Sequence, residues 1–183
     1  MKRMAAAETL LAIIATGCGH TGADSPDAIA WRDDDGTRIR VELVEQADSL
    51  HTLRLTADDS LCSEWPLPYP VYRLTAGDIT GDGVPEIGVG VVKGTRFFPD
   101  AERRLFLFHV ADRRYIRPLW LGSRVSHPLV DFVIHSPVVR TIELDDDSTY
   151  LVAEYSQQGF GLRFDRYITR HTDEASSRKL LLK

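Results

Sequence analysis

Hydrophobic and polar residues alternate along much of the chain. Residues 38–43 show this most clearly, because Ile39, Val41 and Leu43 share one face of an extended segment. No segment between residues 28 and 170 shows the apolar stripe of a helix. The pattern therefore predicts an all-β fold. Further strands are predicted at residues 52–55, 86–92, 104–110, 115–120, 141–144, 150–155 and 162–167.

The order of these segments predicts an antiparallel meander. Residues 104–110 and 115–120 are separated by a short polar turn, and so are residues 141–144 and 150–155. The predicted β domain spans residues 28–170. The polar, then basic and apolar, C-terminal tail at residues 171–183 is compatible either with disorder or with a short helix.

The N-terminus has the layout of an export signal. A basic start is followed by the apolar run 10–15 and by the small residues Thr16 and Gly17 before Cys18. The segment around Cys18 resembles the lipobox of bacterial lipoproteins. That resemblance implies a signal peptide at residues 1–18, acylation of Cys18 and attachment to a membrane of the cell envelope, with residues 19–27 as a flexible tether. The alternative is a frayed N-terminal helix on a cytoplasmic protein.

The expected state of Cys62 depends on whether Cys18 is lipidated. If Cys18 carries lipid, Cys62 has no intrachain partner and is expected to be a buried free thiol. If Cys18 is not lipidated, a disulfide between Cys18 and Cys62 is possible in an oxidising compartment.

Charge argues against a nucleic-acid partner. The 183-residue chain has a formal net charge of −5. Without residues 1–17 it retains 20 basic and 26 acidic side chains, which gives −6. A chain of this sign lacks the broad positive field that attracts proteins to phosphate backbones.

One acidic, glycine-rich segment has the spacing of a cation-binding loop. Oxygen-bearing side chains recur at Asp78, Thr80, Asp82 and Glu86, and the carbonyl of Val84 can supply another oxygen. A tight loop can turn alternate residues towards one ion, and Ca²⁺ prefers six to eight oxygen ligands. The alternative is a hairpin loop with solvated carboxylates.

Residues 76–92 also resemble the FG-GAP (VCBS-type) repeat of integrin-like β-propellers, in which acidic residues and glycines precede an apolar strand. The resemblance implies that Asp78, Asp82 and Glu86 are carboxylate ligands of Ca²⁺ and that Val84 contributes its carbonyl. Thr80 stands where the repeat usually has Asn or Asp. Only one copy of the motif is present, so the resemblance implies a partial or small propeller-like fold. The alternatives are a degenerate relative of the propellers and a different β fold that has one such loop.

Three further sets of residues are candidates for a function. Ser126, His127, Asp131 and His135 could suggest a hydrolase, but the nucleophile elbow Gly-x-Ser-x-Gly is missing. The triple-aspartate segments 33–35 and 145–147 are expected to be hairpin tips, with metal binding as the minor alternative. The third set is an aromatic platform for sugars or peptides, and the alternative is that these residues lie in the core, as aromatic residues of small β domains usually do. The platform would comprise Trp65, Tyr69, Tyr72, Phe97, Phe98 and Trp120.

The sequence therefore predicts a non-enzymatic, lipid-anchored binding or scaffolding module of the bacterial envelope. Its partners would be the membrane and an envelope protein or glycan, and Ca²⁺ would be a structural cofactor. The alternative is an exported hydrolase or carbohydrate-binding accessory whose site the sequence does not reveal.

Overall fold

A computed structural model describes residues 27–46 and 50–183. The predicted signal peptide, Cys18 and nearly all of the predicted tether lie outside the described residues. The described chain forms twelve strands and one helix, and the strands form three four-stranded sheets. In each sheet, consecutive strands are antiparallel neighbours. The predicted all-β antiparallel meander is thus confirmed.

The first sheet contains the strands nearest the N-terminus. They are β1 (Ala28–Arg32), β2 (Arg38–Glu45), β3 (His51–Ala57) and β4 (Ser60–Leu67). The alternation of apolar and polar residues places the apolar side chains on one face of this sheet. Val41 pairs with Leu55 on that face, and both side chains are fully buried. The triple-aspartate segment 33–35 lies in the turn between β1 and β2, as predicted.

The second sheet lies in the middle of the molecule and has two buried faces. Its strands are β5 (Val71–Gly77), β6 (Glu86–Lys93), β7 (Glu102–Ala111) and β8 (Tyr115–Leu121). In β7, Phe106 and Phe108 pack towards the first sheet, whereas Leu105 and Leu107 pack towards the third. Burial on both faces explains why the apolar residues of β7 form a continuous run.

Glycines in β6 make room for aromatic rings. A Cβ atom on Gly88 would lie 2.9 Å from the ring of Phe132, and one on Gly90 would lie 2.6 Å from the ring of Tyr72. Val89 and Val91 of β6 face the first sheet. The alternation of glycine and valine therefore lets the second sheet pack closely against the third.

The third sheet is covered on one side by the helix. Its strands are β9 (Leu129–His135), β10 (Val138–Leu144), β11 (Tyr150–Gln157) and β12 (Leu162–Thr172). Helix α1 (Glu174–Leu181) begins after Asp173, whose side chain accepts a hydrogen bond from the Ser176 amide at 2.9 Å. Leu181 packs against Ile142 and Val152. The tail thus forms the short helix that the sequence left as one of two possibilities.

The first strands of successive sheets are adjacent, since β1 contacts β5 and β5 contacts β9. The first and last strands of each sheet have no hydrogen-bonded neighbour on their outer side among the described residues. Three sheets are fewer than the four or more blades of a propeller, so the propeller-like part of the expectation stays a prediction. Among the described residues, no helix has the length and apolar character needed to cross a bilayer.

Candidate functional site

The predicted cation loop connects β5 to β6. Gly77 and Glu86 face each other where the antiparallel strands meet the loop. Gly81 and Gly83 have φ angles of +79° and +84°. This left-handed region suits glycine, and it allows the chain to turn tightly between the acidic residues.

Asp78 organises the loop from within. Its two carboxylate oxygens accept hydrogen bonds from the amides of Gly81 at 2.6 Å and Gly83 at 2.9 Å. Asp82 accepts one from the Val84 amide at 2.8 Å. These bonds satisfy backbone donors that the turn would otherwise leave free. The loop therefore has a defined conformation that rests on its own carboxylates.

Glu86 is the buried acid of the loop. Only 2% of its surface is exposed, and it accepts hydrogen bonds from the Ile79 amide at 2.8 Å and the Thr80 hydroxyl at 3.3 Å. Burial raises the pKa of Glu86, and the negative charges of Asp82 and Asp78 raise it further. Glu86 thus has a carboxyl group whose negative charge is poorly compensated.

The three predicted carboxylate ligands lie in one loop, but their oxygen atoms do not gather around a single point. Among the described residues, two groups bring three acidic or histidine ligand atoms within 4.8 Å of one another, and Asp78, Asp82 and Glu86 form neither of them. The side chain of Thr80 donates to Glu86. Binding of Ca²⁺ to all five predicted positions would thus require the loop to rearrange around the ion.

The four hydrolase candidates do not form one catalytic group, because they contact different partners. Asp131 is held by Arg73, with 2.6 Å between Arg73 Nε and Asp131 Oδ1, and by Arg178 at 3.1 Å. His135 is exposed at the end of β9. The hydroxyl of Ser126 lies 2.8 Å from Glu143 and 3.2 Å from the Nδ1 atom of His127. The structure thus pairs Ser126 and His127 with Glu143 instead of Asp131.

Glu143 is the centre of a polar network that the sequence did not reveal. Its carboxylate is fully buried and accepts hydrogen bonds from four donors. They are the hydroxyls of Ser126 at 2.8 Å, Thr141 at 2.6 Å and Tyr155 at 2.7 Å, and the amide of His127 at 2.7 Å. Burial and the charge of Glu143 raise the pKa of Tyr155, so the phenol stays protonated and can donate.

The aromatic residues do not form a common platform. Trp120 lies in the core between the second and third sheets, and the ring of Tyr72 packs edge-on against Phe132 at 6.4 Å. Phe97 and Phe98 are exposed. Cys62 is half-buried and free among the described residues, and its thiol donates to the Ser60 carbonyl at 3.4 Å.

Comparisons with protein-family models, curated proteins and solved structures return no significant match for this chain.

Proposed function

We propose that this chain is a non-enzymatic binding or scaffolding module that is exported and lipid-anchored through Cys18 in a bacterial cell envelope. Ca²⁺ bound by the loop between Asp78 and Glu86 would stabilise the fold. The export and lipid anchor rest on the sequence that precedes Cys18. The calcium part of the proposal rests on the buried carboxyl group of Glu86 beside two further acids. A cation in this loop would offset the cost of burying that charge.

The chemistry of the loop favours a hard cation. Every candidate ligand is an oxygen atom: the carboxylates of Asp78, Asp82 and Glu86, the hydroxyl of Thr80 and the carbonyl of Val84. Ca²⁺ accepts such sets in flexible geometry. Its role would be structural, because an ion that binds only the folded chain stabilises that chain by mass action.

The sheet edges support the scaffolding part of the proposal. Strand β12 is a terminal strand of eleven residues, all of them exposed or half-buried. Its exposed rings Phe164 and Tyr167 lie 4.7 Å apart. An edge strand with exposed rings offers backbone hydrogen bonds and apolar contacts to an envelope protein or a glycan.

Direct calcium binding tests the proposal. Equilibrium dialysis of the wild-type chain with Ca²⁺ up to about 10 mM covers the weak affinities, about 10⁻⁴–10⁻³ M, of extracellular sites. We expect one ion per chain in the wild type and weaker binding in Asp82→Asn and Glu86→Gln. Asp34→Asn is the matched control, because Asp34 is exposed at another acidic turn. Binding that is unchanged in both loop variants, or no binding at all, would refute the calcium site.

A further inference from the structure

A second group of acids and histidines lies at one end of the third sheet. The turn between β10 and β11 contributes Asp145, Asp146 and Asp147, and the end of β12 contributes Arg170 and His171. Asp145 is only 3% exposed. Its contacts join two segments that are 25 residues apart in the sequence.

Metal-ligand atoms lie close together in three of these residues, Asp145, Asp147 and His171. The Nδ1 atom of His171 lies 2.7 Å from Oδ2 of Asp147 and 3.9 Å from Oδ2 of Asp145. One ligand atom from each of the three residues lies within 4.8 Å of the other two. The side chains of Asp147 and His171 are 49% and 62% exposed, so an ion could enter from solvent.

The hydrogen bonds leave acceptor capacity on the oxygens that face His171. Oδ1 of Asp145 accepts from Arg170 at 2.7 Å and from the Asp146 amide at 2.9 Å, whereas Oδ2 accepts from Arg170 alone, at 3.0 Å. Oδ1 of Asp147 accepts from the amide and hydroxyl of Thr149. Since each carboxylate oxygen has two lone pairs, the Oδ2 atoms retain one for another partner.

Charge also favours a cation here. The carboxylates of Asp145 and Asp147 both lie beside the Nδ1 atom of His171. The buried carboxylate of Glu143 is near, because His127 lies 3.7 Å from Glu143 and 3.8 Å from Asp145. Arg170 alone does not balance these acids.

We propose that Asp145, Asp147 and His171 form a binding site for a divalent transition-metal ion of the zinc class. Imidazole nitrogen with carboxylate oxygen suits Zn²⁺, Co²⁺, Ni²⁺ or Cu²⁺, whereas Ca²⁺ prefers oxygen ligands only. The ion replaces the hydrogen bond between His171 and Asp147, and the neutral ring then carries its proton on Nε2. Three protein ligands leave a fourth position for water or for a donor from a partner.

Titration of the full chain with Zn²⁺ in excess Ca²⁺ tests this site separately from the loop between β5 and β6. We expect saturable binding of one ion, measured by calorimetry, and visible absorption of a tetrahedral complex with Co²⁺ as the probe. His171→Ala and Asp147→Asn should each weaken binding by more than about tenfold. Both side chains are about half exposed, so these variants should fold, which circular dichroism can verify.

His135→Ala is the matched control, because His135 is an exposed histidine elsewhere on the third sheet. It should bind Zn²⁺ as the wild type does. Absence of saturable binding at about 1 mM Zn²⁺ would overturn the proposal. Equal Zn²⁺ affinity of the wild type and His171→Ala would overturn it as well. Binding that is lost only in His127→Ala would also overturn it, because the ion would then lie between His127 and Asp145.

Discussion

At the scale of single residues, the buried carboxyl groups of this chain differ in the partners that surround them. Glu143 is satisfied by four neutral donors, and Glu154 is held by arginines. Glu86 lies beside two further acids, and burial together with the charges of Asp82 and Asp78 raises its pKa. A carboxyl group of this kind destabilises the folded chain when it is ionised.

Glu86→Gln should therefore remove a pH-dependent cost. Because the pKa of Glu86 is higher in the folded chain than in the unfolded one, the wild type loses stability as pH rises from about 4.3 through the folded pKa. In EDTA, the stability of the variant relative to the wild type should increase over this interval and then level off. Urea unfolding at a series of pH values measures the difference. A difference that stays constant from acid to neutral pH would contradict this account.

At the scale of elements, helix α1 is attached to the third sheet by both apolar and ionic contacts. Arg140 donates to Glu154 at 2.8 Å and to the carbonyl of Leu180 at 2.8 Å. Arg166 also donates to Glu154, at 2.8 Å. Burial opposes ionisation of Glu154, but these hydrogen bonds outweigh it and lower the pKa of its carboxyl group. One buried arginine thus connects β10, β11 and the helix.

Arg140→Met should destabilise the chain by about 3 kcal/mol, since it leaves a buried carboxylate with one exposed partner. Hydrogen exchange of the α1 amides should accelerate, because the variant also removes the donor to Leu180. Urea unfolding and exchange mass spectrometry measure the two effects. The control is Arg38→Met, which removes an exposed pair with Asp59 and should cost less than about 1 kcal/mol. Equal losses in the two variants would contradict the assigned role of Arg140.

The alternation of apolar and polar residues predicted the strands that have one buried face, such as β2. The continuous run of apolar residues predicted the buried strand β7. The hydrophobic pattern did not predict strand β4, because β4 is a terminal strand with exposed positions and includes Pro66. The spacing of residues 78–86 predicted the loop between β5 and β6 because its contacts are local. The contact of Asp147 with His171 spans 24 residues, so sequence spacing could not reveal it.

At the scale of the whole molecule, the second sheet holds the other two together. Phe132 of β9 is fully buried at the interface with this sheet, against Gly88 and the ring of Tyr72. The close approach of the sheets depends on this fit between a ring and a glycine. Removal of the Phe132 ring would therefore leave a cavity that both sheets line.

Phe132→Ala should reduce the free energy of unfolding by about 3–5 kcal/mol, because it leaves a cavity between two sheets. Phe97→Ala is the control, since that side chain is 81% exposed and its loss should change stability by less than about 0.5 kcal/mol. Denaturant unfolding of both variants measures the contrast. Similar stability of the two variants would mean that the sheets do not pack as described.

Thermal unfolding in EDTA and in millimolar Ca²⁺ shows whether a cation in the loop between β5 and β6 stabilises the fold. The wild type should melt at a higher temperature with Ca²⁺, whereas the double variant Asp78→Ala, Asp82→Ala should melt at the same temperature in both conditions. Asp34→Asn should respond to Ca²⁺ as the wild type does. No shift in the wild type, or an equal shift in the double variant, would contradict a stabilising cation in the loop between β5 and β6.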